Sequence, residues 1–296
     1  MTYEQFIEEA KKDLMKRMTN VRVTSAVVLR NNGIKIDALM IRSRKSGFYI
    51  HTRPAYELYI SGKMLFTEIM EVIVERHKNE KPEKMFDVGL YYDYQKAKEV
   101  LYGRLINTEK NKEFLEDVPH REILDLSLVY SVDAECLDSS GVGSMVVTKA
   151  IMELWGVDEE TLYMQMTDNL ERNNKGIVQS ASSIEEEILG TAETECDESI
   201  LPMYVLSNRC KRFGAVEMMN KALLDKAAVV FGRDFWLLPA SIHEFILLPL
   251  LDEELDRAFM SVMVKETNRK EIAEEEILSD HLYRYRKETG QIEIAA

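Results

Sequence analysis

An α+β protein of two lobes is predicted, with antiparallel or mixed sheets and flanking amphipathic helices. Three observations point there. Near the N-terminus, β-branched runs are joined by an Asn-Gly turn; elsewhere apolar residues recur at helical spacing between charges; and the apolar block 201–250 reads as short strands bracketing a helix. The chain has 296 residues, enough for one large domain or two ordinary ones, and its composition (46% hydrophobic, 30% charged) is that of a globular protein.

In chain order, Phe6, Ile7, Ala10 and Leu14 mark an opening amphipathic helix over 3–18. The runs 21–30 and 34–42 flank Asn31-Asn32-Gly33, which supplies the positive φ of a tight turn, so a β-hairpin is expected. Pro54 opens a short helical turn that Gly62 ends, and Leu65, Ile69, Val72 and Ile73 define the next helix. A charged loop over 78–84, a helix over 93–101 and a strand over 102–106 follow. The segment 122–132 is apolar at both alternating phases, which predicts one strand buried on both faces. The boundary between lobes 1–135 and 144–296 is expected in the polar segment 133–143.

Beyond it a strand (144–148) and a helix (149–155) precede Gly156-Val157-Asp158. Asp158 is a helix cap, with Glu159 and Glu160 at the positive end of the dipole. Near 183–199 lies an acidic insertion; residues 185–198 hold seven acids and no base. The block 201–250 is then read as strand (203–206), polar turn (207–213), helix (214–231) and strand (235–238), then a tight turn and a further strand (244–248). An amphipathic helix (252–265) and a hairpin around Glu288-Thr289-Gly290 close the chain.

A net charge of −14 would repel phosphates, which argues against general nucleic-acid binding and against an anionic membrane surface. Cys136, Cys196 and Cys210 form no CxxC pair, which fits a reducing compartment and offers no metal framework. Met1–Phe6 lacks the cationic start and apolar run of a signal peptide, and no apolar run is long enough to span a bilayer, so a cytoplasmic location is expected. No P-loop or GxGxxG occurs, and no cofactor or metal is expected.

Ser241-Ile242-His243-Glu244 is where a hydroxyl, an imidazole and a carboxylate crowd together. Hydrolysis needs a nucleophile within hydrogen-bond reach of a base that a carboxylate orients, so Ser241, His243 and Glu244 are catalytic candidates. Regular strand geometry would hold Ser241 and His243 about 7 Å apart, with Glu244 on the other face. The competing reading is a turn whose serine and histidine satisfy backbone groups. A zincin HExxH is ruled out, because Leu247 stands four positions beyond His243.

Arg209-Cys210-Lys211-Arg212 is a cationic turn before Gly214-Ala215. Such a turn could hold an anion and lower a thiol's pKa, making Cys210 a further catalytic candidate and Arg209, Lys211 and Arg212 binding candidates; the alternative is a solvated basic loop. His120 and Arg121, after Val118-Pro119, are read as either turn residues or a polar pair at the mouth of a cleft.

Several segments together resemble a bacterial domain-of-unknown-function family numbered 5688, common in gut Firmicutes. They include Pro54-Ala55-Tyr56-Glu57-Leu58-Tyr59, Arg104-Leu105-Ile106-Asn107, Val118-Pro119-His120, Trp155-Gly156-Val157, Tyr204-Val205-Leu206-Ser207-Asn208, Leu238-Pro239-Ala240-Ser241-Ile242-His243-Glu244 and Leu282-Tyr283-Arg284-Tyr285. The family pattern prefers serine where Ala240 stands, which weakens a mechanism needing two adjacent serines. The resemblance implies an intracellular bacterial protein built as a whole-length α+β unit, and it carries no established activity. The expected function is a non-enzymatic binding or regulatory protein with an unidentified protein partner. Two alternatives stand beside it: a hydrolase-type enzyme using His243 and Glu244 with Ser241 or Cys210, and an acidic mimic or inhibitor of a basic partner.

Overall fold

The opening helix α1 (Tyr3–Arg17) starts at a reciprocal cap: Gln5 N–H donates to Thr2 Oγ1 and Thr2 N–H to Gln5 Oε1. In the computed structural model, which describes residues 1–42, 47–79, 88–133, 144–173, 175–180, 202–251 and 253–296, three antiparallel sheets follow one another along the chain. The first is β1 (Arg22–Leu29), β2 (Lys35–Arg42) and β3 (Gly47–His51), with Asn32 and Gly33 at φ 60° and 72° in the β1–β2 turn. One face of this sheet, with Val23, Leu39 and Ile41, packs on Phe6, Leu14, Ile69 and Met70 of α1 and α3 (Phe66–Asn79); α2 (Thr52–Ile60) lies between β3 and α3 in the chain.

Short helices α4 (Val88–Tyr92) and α5 (Tyr94–Ala97) lead to β4 (Leu101–Asn107), and α6 (Lys112–Leu115) to β5 (His120–Ile123). With β6 (Leu126–Asp133) and β7 (Ser144–Val146), these strands make the second sheet, in the order β4-β6-β5 with β7 paired to β6. After α7 (Lys149–Trp155) and α8 (Glu159–Arg172) comes the third sheet. It contains β8 (Gly176–Ser180), β9 (Tyr204–Asn208), β10 (Phe235–Ser241), β11 (Glu244–Pro249), β12 (Tyr283–Arg286) and β13 (Gln291–Ile294), in the order β13-β12-β10-β11-β9-β8.

The second and third sheets share one core. Leu105, Leu128 and Tyr130 from one meet Phe235, Leu237, Phe245 and Tyr283 from the other, and Leu162 and Met166 of α8 and Leu224 and Ala228 of α9 (Lys221–Phe231) join them. Trp236, Leu238 and Leu248 form the opposite face of the third sheet, under Met260 and Val264 of α10 (Glu253–Lys270).

The α+β class holds, while several elements differ from the expected ones. The predicted strand over 122–132 is a hairpin, β5–β6, turning at Leu124 with φ 59°. Asp125 accepts from Ser279 (2.7 Å), His281 (2.9 Å) and Tyr283 (2.6 Å), so contacts from the far end of the chain hold that turn. The predicted helix over 214–231 divides into a 3-10 segment, Gly214–Met219, and α9, because Asn220 leaves helical geometry (φ −77°, ψ 84°) and caps Leu223 N–H. The helix over 93–101 shrinks to α5 and one 3-10 turn, since β4 already begins at Leu101. Strands β3 and β8 had no counterpart in the predicted element order. Residues 80–84 of the charged loop, the boundary segment 134–143, the acidic insertion 183–199, Cys136 and Cys196 lie outside the described residues.

Candidate functional site

The β10–β11 hairpin turns at Ile242 and His243, with a register slip between Pro239 and Ser241 and with Ser241 opposite Glu244. Its polar groups mostly serve backbone. Ser241 Oγ accepts His243 N–H at 3.0 Å, His243 O accepts Ser207 Oγ–H at 2.8 Å, and Ile242 N–H donates to Glu276 O at 2.9 Å. His243 Nδ1 lies 2.9 Å from Phe213 N, a donor, so the neutral ring carries its proton on Nε2, 3.8 Å from Glu276 Oε1.

Phe213 ends the loop after β9. Lys211 and Phe213 both have positive φ (51° and 50°), a region that costs a non-glycine residue about 1 kcal/mol. Asn208 clamps this loop: its Nδ2 donates to Arg212 O (2.8 Å) and its Oδ1 accepts Arg212 N–H (3.3 Å). Gly214 completes the turn because no side chain fits there; a Cβ would stand 2.4 Å from Ser207 Oγ and 2.6 Å from Asn208 N. Around the Phe213 ring gather Arg104 of β4 (Cζ 3.9 Å from the ring centre), Arg212 (5.5 Å) and the His243 ring (5.5 Å). Arg104 is oriented by its Nε–H bond to Ser131 Oγ at 3.1 Å.

A third wall comes from the tip of the β1–β2 hairpin. Asn32 Nδ2 donates to Glu274 O and Ile277 O, both at 2.7 Å, Asn31 Nδ2 donates to Glu275 O at 2.7 Å, and Asn32 N–H donates to Asn111 Oδ1 at 2.9 Å. Arg30 bonds Tyr49 Oη and pairs with Glu275 at 3.0 Å. Between these walls lies a cleft of about 460 Å³. Ile106, Phe114, Val129, Val146 and Ile242 give it an apolar lining; Arg30, Arg104, Arg212, His243, Glu275 and Glu276 supply its charged and ionisable groups.

Of the residues singled out from sequence, His243 and Arg212 line this cleft; Ser241, Glu244, Cys210, Arg209, Lys211, His120 and Arg121 do not. Glu244 opens β11 opposite Ser241, and Glu276 is the carboxylate that faces the imidazole. His120 Nδ1 bonds Val118 O at 3.0 Å. Arg121 is engaged by Glu159 (2.8 Å) and Glu160, and lies 3.7 Å over the Tyr163 ring. Sequence reasoning passed over Arg30 and Arg104. An arginine between Gly103 and Leu105, inside an otherwise apolar strand, was the available signal for the second.

Sequence reasoning also missed Glu217, a carboxyl with 0% exposure in the Gly214–Met219 segment. Tyr102 Oη donates to it at 3.1 Å and Asn220 Nδ2 at 3.0 Å, and a Cβ on Gly176 would sit 2.3 Å from its Oε2. Burial pushes its pKa up to about 7, against the lowering effect of those two donors and of Lys175.

Among the described residues, no helix is long and apolar enough to cross a membrane, and no group of three His, Cys, Asp or Glu side chains could hold a metal ion. No curated protein and no solved structure matches the chain. Its residues 3–287 match the model of a family of unknown function, DUF5688, and the protein belongs to that family.

Proposed function

We propose that the protein is a non-enzymatic binding protein that takes a small anionic molecule with an apolar body into the cleft. One observation carries this reading: Arg104, Arg212 and the ring of His243 gather around Phe213 beside an apolar lining. Three guanidiniums (Arg30, Arg104, Arg212) stand against two carboxylates (Glu275, Glu276), a surplus of one positive charge that favours a monoanion over a dianion. The volume suits a small molecule rather than a polypeptide segment.

The hydrolase alternative asks more of His243 than its surroundings supply. A general base needs an open lone pair; here Nδ1 accepts from Phe213 N–H and Nε2 is the protonated nitrogen. Ser241 Oγ accepts the histidine's own N–H instead of donating to its ring.

The test is calorimetric titration with 3-phenylpropionate, its neutral amide and phenyl phosphate, on wild type, Arg104→Gln and Arg212→Gln. The Asn208 clamp uses only Arg212 backbone atoms, so Arg212→Gln leaves the loop held. The expected result is that 3-phenylpropionate binds, the amide does not, and each variant weakens binding about tenfold or more, the loss of one charge-assisted hydrogen bond. Equal binding by wild type and both variants would refute the reading.

A further inference from the structure

A chain of hydrogen bonds runs from the buried carboxyl of Glu217 to the wall of the cleft. Tyr102 O–H donates to Glu217 Oε1, Asn208 Nδ2–H donates to Tyr102 Oη at 2.9 Å, and the same Asn208 holds Arg212 by both its N–H and its carbonyl. Arg212 and Phe213, the residues so held, line the cleft, and Phe213 N–H goes on to His243 Nδ1. We infer that Glu217 regulates the cleft: its protonation state, passed through Tyr102 and Asn208, sets how firmly the Arg212–Phe213 wall is held. This rests on the reading of the cleft as a binding site, while the relay itself is testable without any ligand.

The chemistry follows from counting donors. A Glu217 carboxylate is served by two donors, Tyr102 O–H and Asn220 N–H, and every bond from Asn208 inward then points the same way. Protonation turns one carboxyl oxygen into a donor. If it faces Tyr102, the phenol must turn its own hydrogen aside and accept from both Glu217 and Asn208, so the bond that anchors Asn208 weakens. If it faces Asn220, two donors oppose each other there, and the oxygen left to Tyr102 becomes a neutral carbonyl, a weaker acceptor than a carboxylate, so the chain from Asn208 is less strongly polarised. Either way the clamp is tightest when Glu217 is ionised, and the loop it restrains has two residues at positive φ ready to relax.

Among the described residues, the titratable groups facing Glu217 are Tyr102 from β4 and Lys175 at the head of β8. Asn208 from β9 and Asn220 ahead of α9 are uncharged, and the Gly214–Met219 segment brings no second charge. Burial holds the Glu217 pKa up to about 7, so both forms are populated near neutrality. Acidification through that value loosens the wall, and an occupant that needs the wall in place favours the ionised form in return.

The experiment follows amide signals of Arg212 and of the Asn208 side chain by NMR in the ligand-free protein between pH 5.5 and 8.5. Wild type is expected to show both signals moving together with a midpoint near that of Glu217. Glu217→Gln should abolish this step, whereas a step belonging to any other group would survive it. Tyr102→Phe, which keeps the ring and removes the hydroxyl, should uncouple the Asn208 and Arg212 signals while the Glu217 carboxyl still titrates. Signals that follow the same curve in wild type and in Glu217→Gln, or that do not move, overturn the relay. With 3-phenylpropionate as probe, wild-type affinity should fall about fivefold from pH 8 to pH 6 if occupancy lowers the proton affinity of Glu217 tenfold, and Glu217→Gln should flatten the dependence. A relay present without binding of the probe or of phenyl phosphate at any pH would sink the proposed function and leave the relay in place.

Discussion

Replacing Glu217 by glutamine should make the protein more stable at alkaline pH relative to wild type, by an amount that the buried carboxyl fixes. The group has 0% exposure, and burial, partly offset by bonds from Asn220 and Tyr102, moves its pKa from 4.5 to about 7. The folded state therefore holds this proton more tightly than the unfolded chain does. That sign means the wild-type contribution is most favourable below pH 4.5, falls as pH rises, and levels off above about 7. At roughly 1.4 kcal/mol for each tenfold in proton affinity, the whole change is about 3 kcal/mol. Glutamine carries no charge at any pH. It fills the same space, and its carbonyl can take one of the two donors, Tyr102 or Asn220, while its amide opposes the other, an offset that is the same at every pH. Urea unfolding of both proteins at half-unit steps from pH 4 to pH 8 measures the difference, and taking the difference cancels the other carboxylates. The variant should gain about 3 kcal/mol on wild type across that range. A difference that stays flat within about 1 kcal/mol would mean that water or an unrecognised cation already compensates the ionised form, and the reasoning would fail.

Asp125→Asn should cost about 2 kcal/mol by chemical denaturation, because three side-chain donors converge on one carboxylate. Burial alone would raise the Asp125 pKa, but bonds from Tyr283, Ser279 and His281 hold it below the ordinary carboxylate range. Its contribution is therefore whole above that range and disappears as pH falls through the folded value, so the variant should lose less stability than wild type in acid. Asn32→Gly keeps the positive φ and the backbone N–H bond to Asn111 Oδ1, and removes the side-chain bonds to Glu274 O and Ile277 O and the one accepted from Asn111 Nδ2; hydrogen exchange at 274–277 should accelerate at least tenfold, while unchanged protection would show that the hairpin tip is not what fastens this segment. Gly214→Ala should destabilise by about 2 kcal/mol and abolish binding of 3-phenylpropionate, since the new Cβ meets backbone at Asn208 N (2.6 Å) and His243 O (2.7 Å); a thermal melt like that of wild type would contradict the close packing.

What could be read in advance depended on how local its cause is. Asp158 starts α8 by accepting Thr161 N–H, Asn32 and Gly33 turn the first hairpin, and Gly290 with φ 65° turns the last; each cause lies within a few residues of its effect. The β5–β6 turn is different. Leucine at φ 59° announces no turn, and what fixes it is Asp125 meeting Ser279, His281 and Tyr283 across more than half the chain. The same limit applies to the cleft. The Ser241–Glu244 segment was legible as a turn, and the Arg209–Arg212 loop as cationic, but their adjacency depends on β9 pairing with β11. Arg104 and Arg30 arrive from two other sheets, and Glu276 from the segment before β12, so no spacing rule could have joined them to His243. Glu217 stood in plain sight within Gly-Ala-Val-Glu-Met-Met, where a lone acid in an apolar run signals either an error of helix phase or a buried charge with partners elsewhere.

The division of labour among polar atoms at the cleft separates support from recognition. Ser207, Asn208 and Ser241 direct side-chain atoms at backbone, and His243 gives one ring nitrogen to the same task, so these groups hold two tight turns together. Phe213 would relax from φ 50° without that scaffold, and its ring would then leave Arg104. A turn needed only to connect β9 to α9 would gain stability from a residue at position 213 that tolerates positive φ, such as glycine or asparagine. Phenylalanine there adds strain of about 1 kcal/mol and in return carries the face on which two guanidiniums gather. The strain is therefore placed where it positions charge beside an apolar cleft, which a loop that only links two elements would not need and which the proposed binding of a ligand there would use.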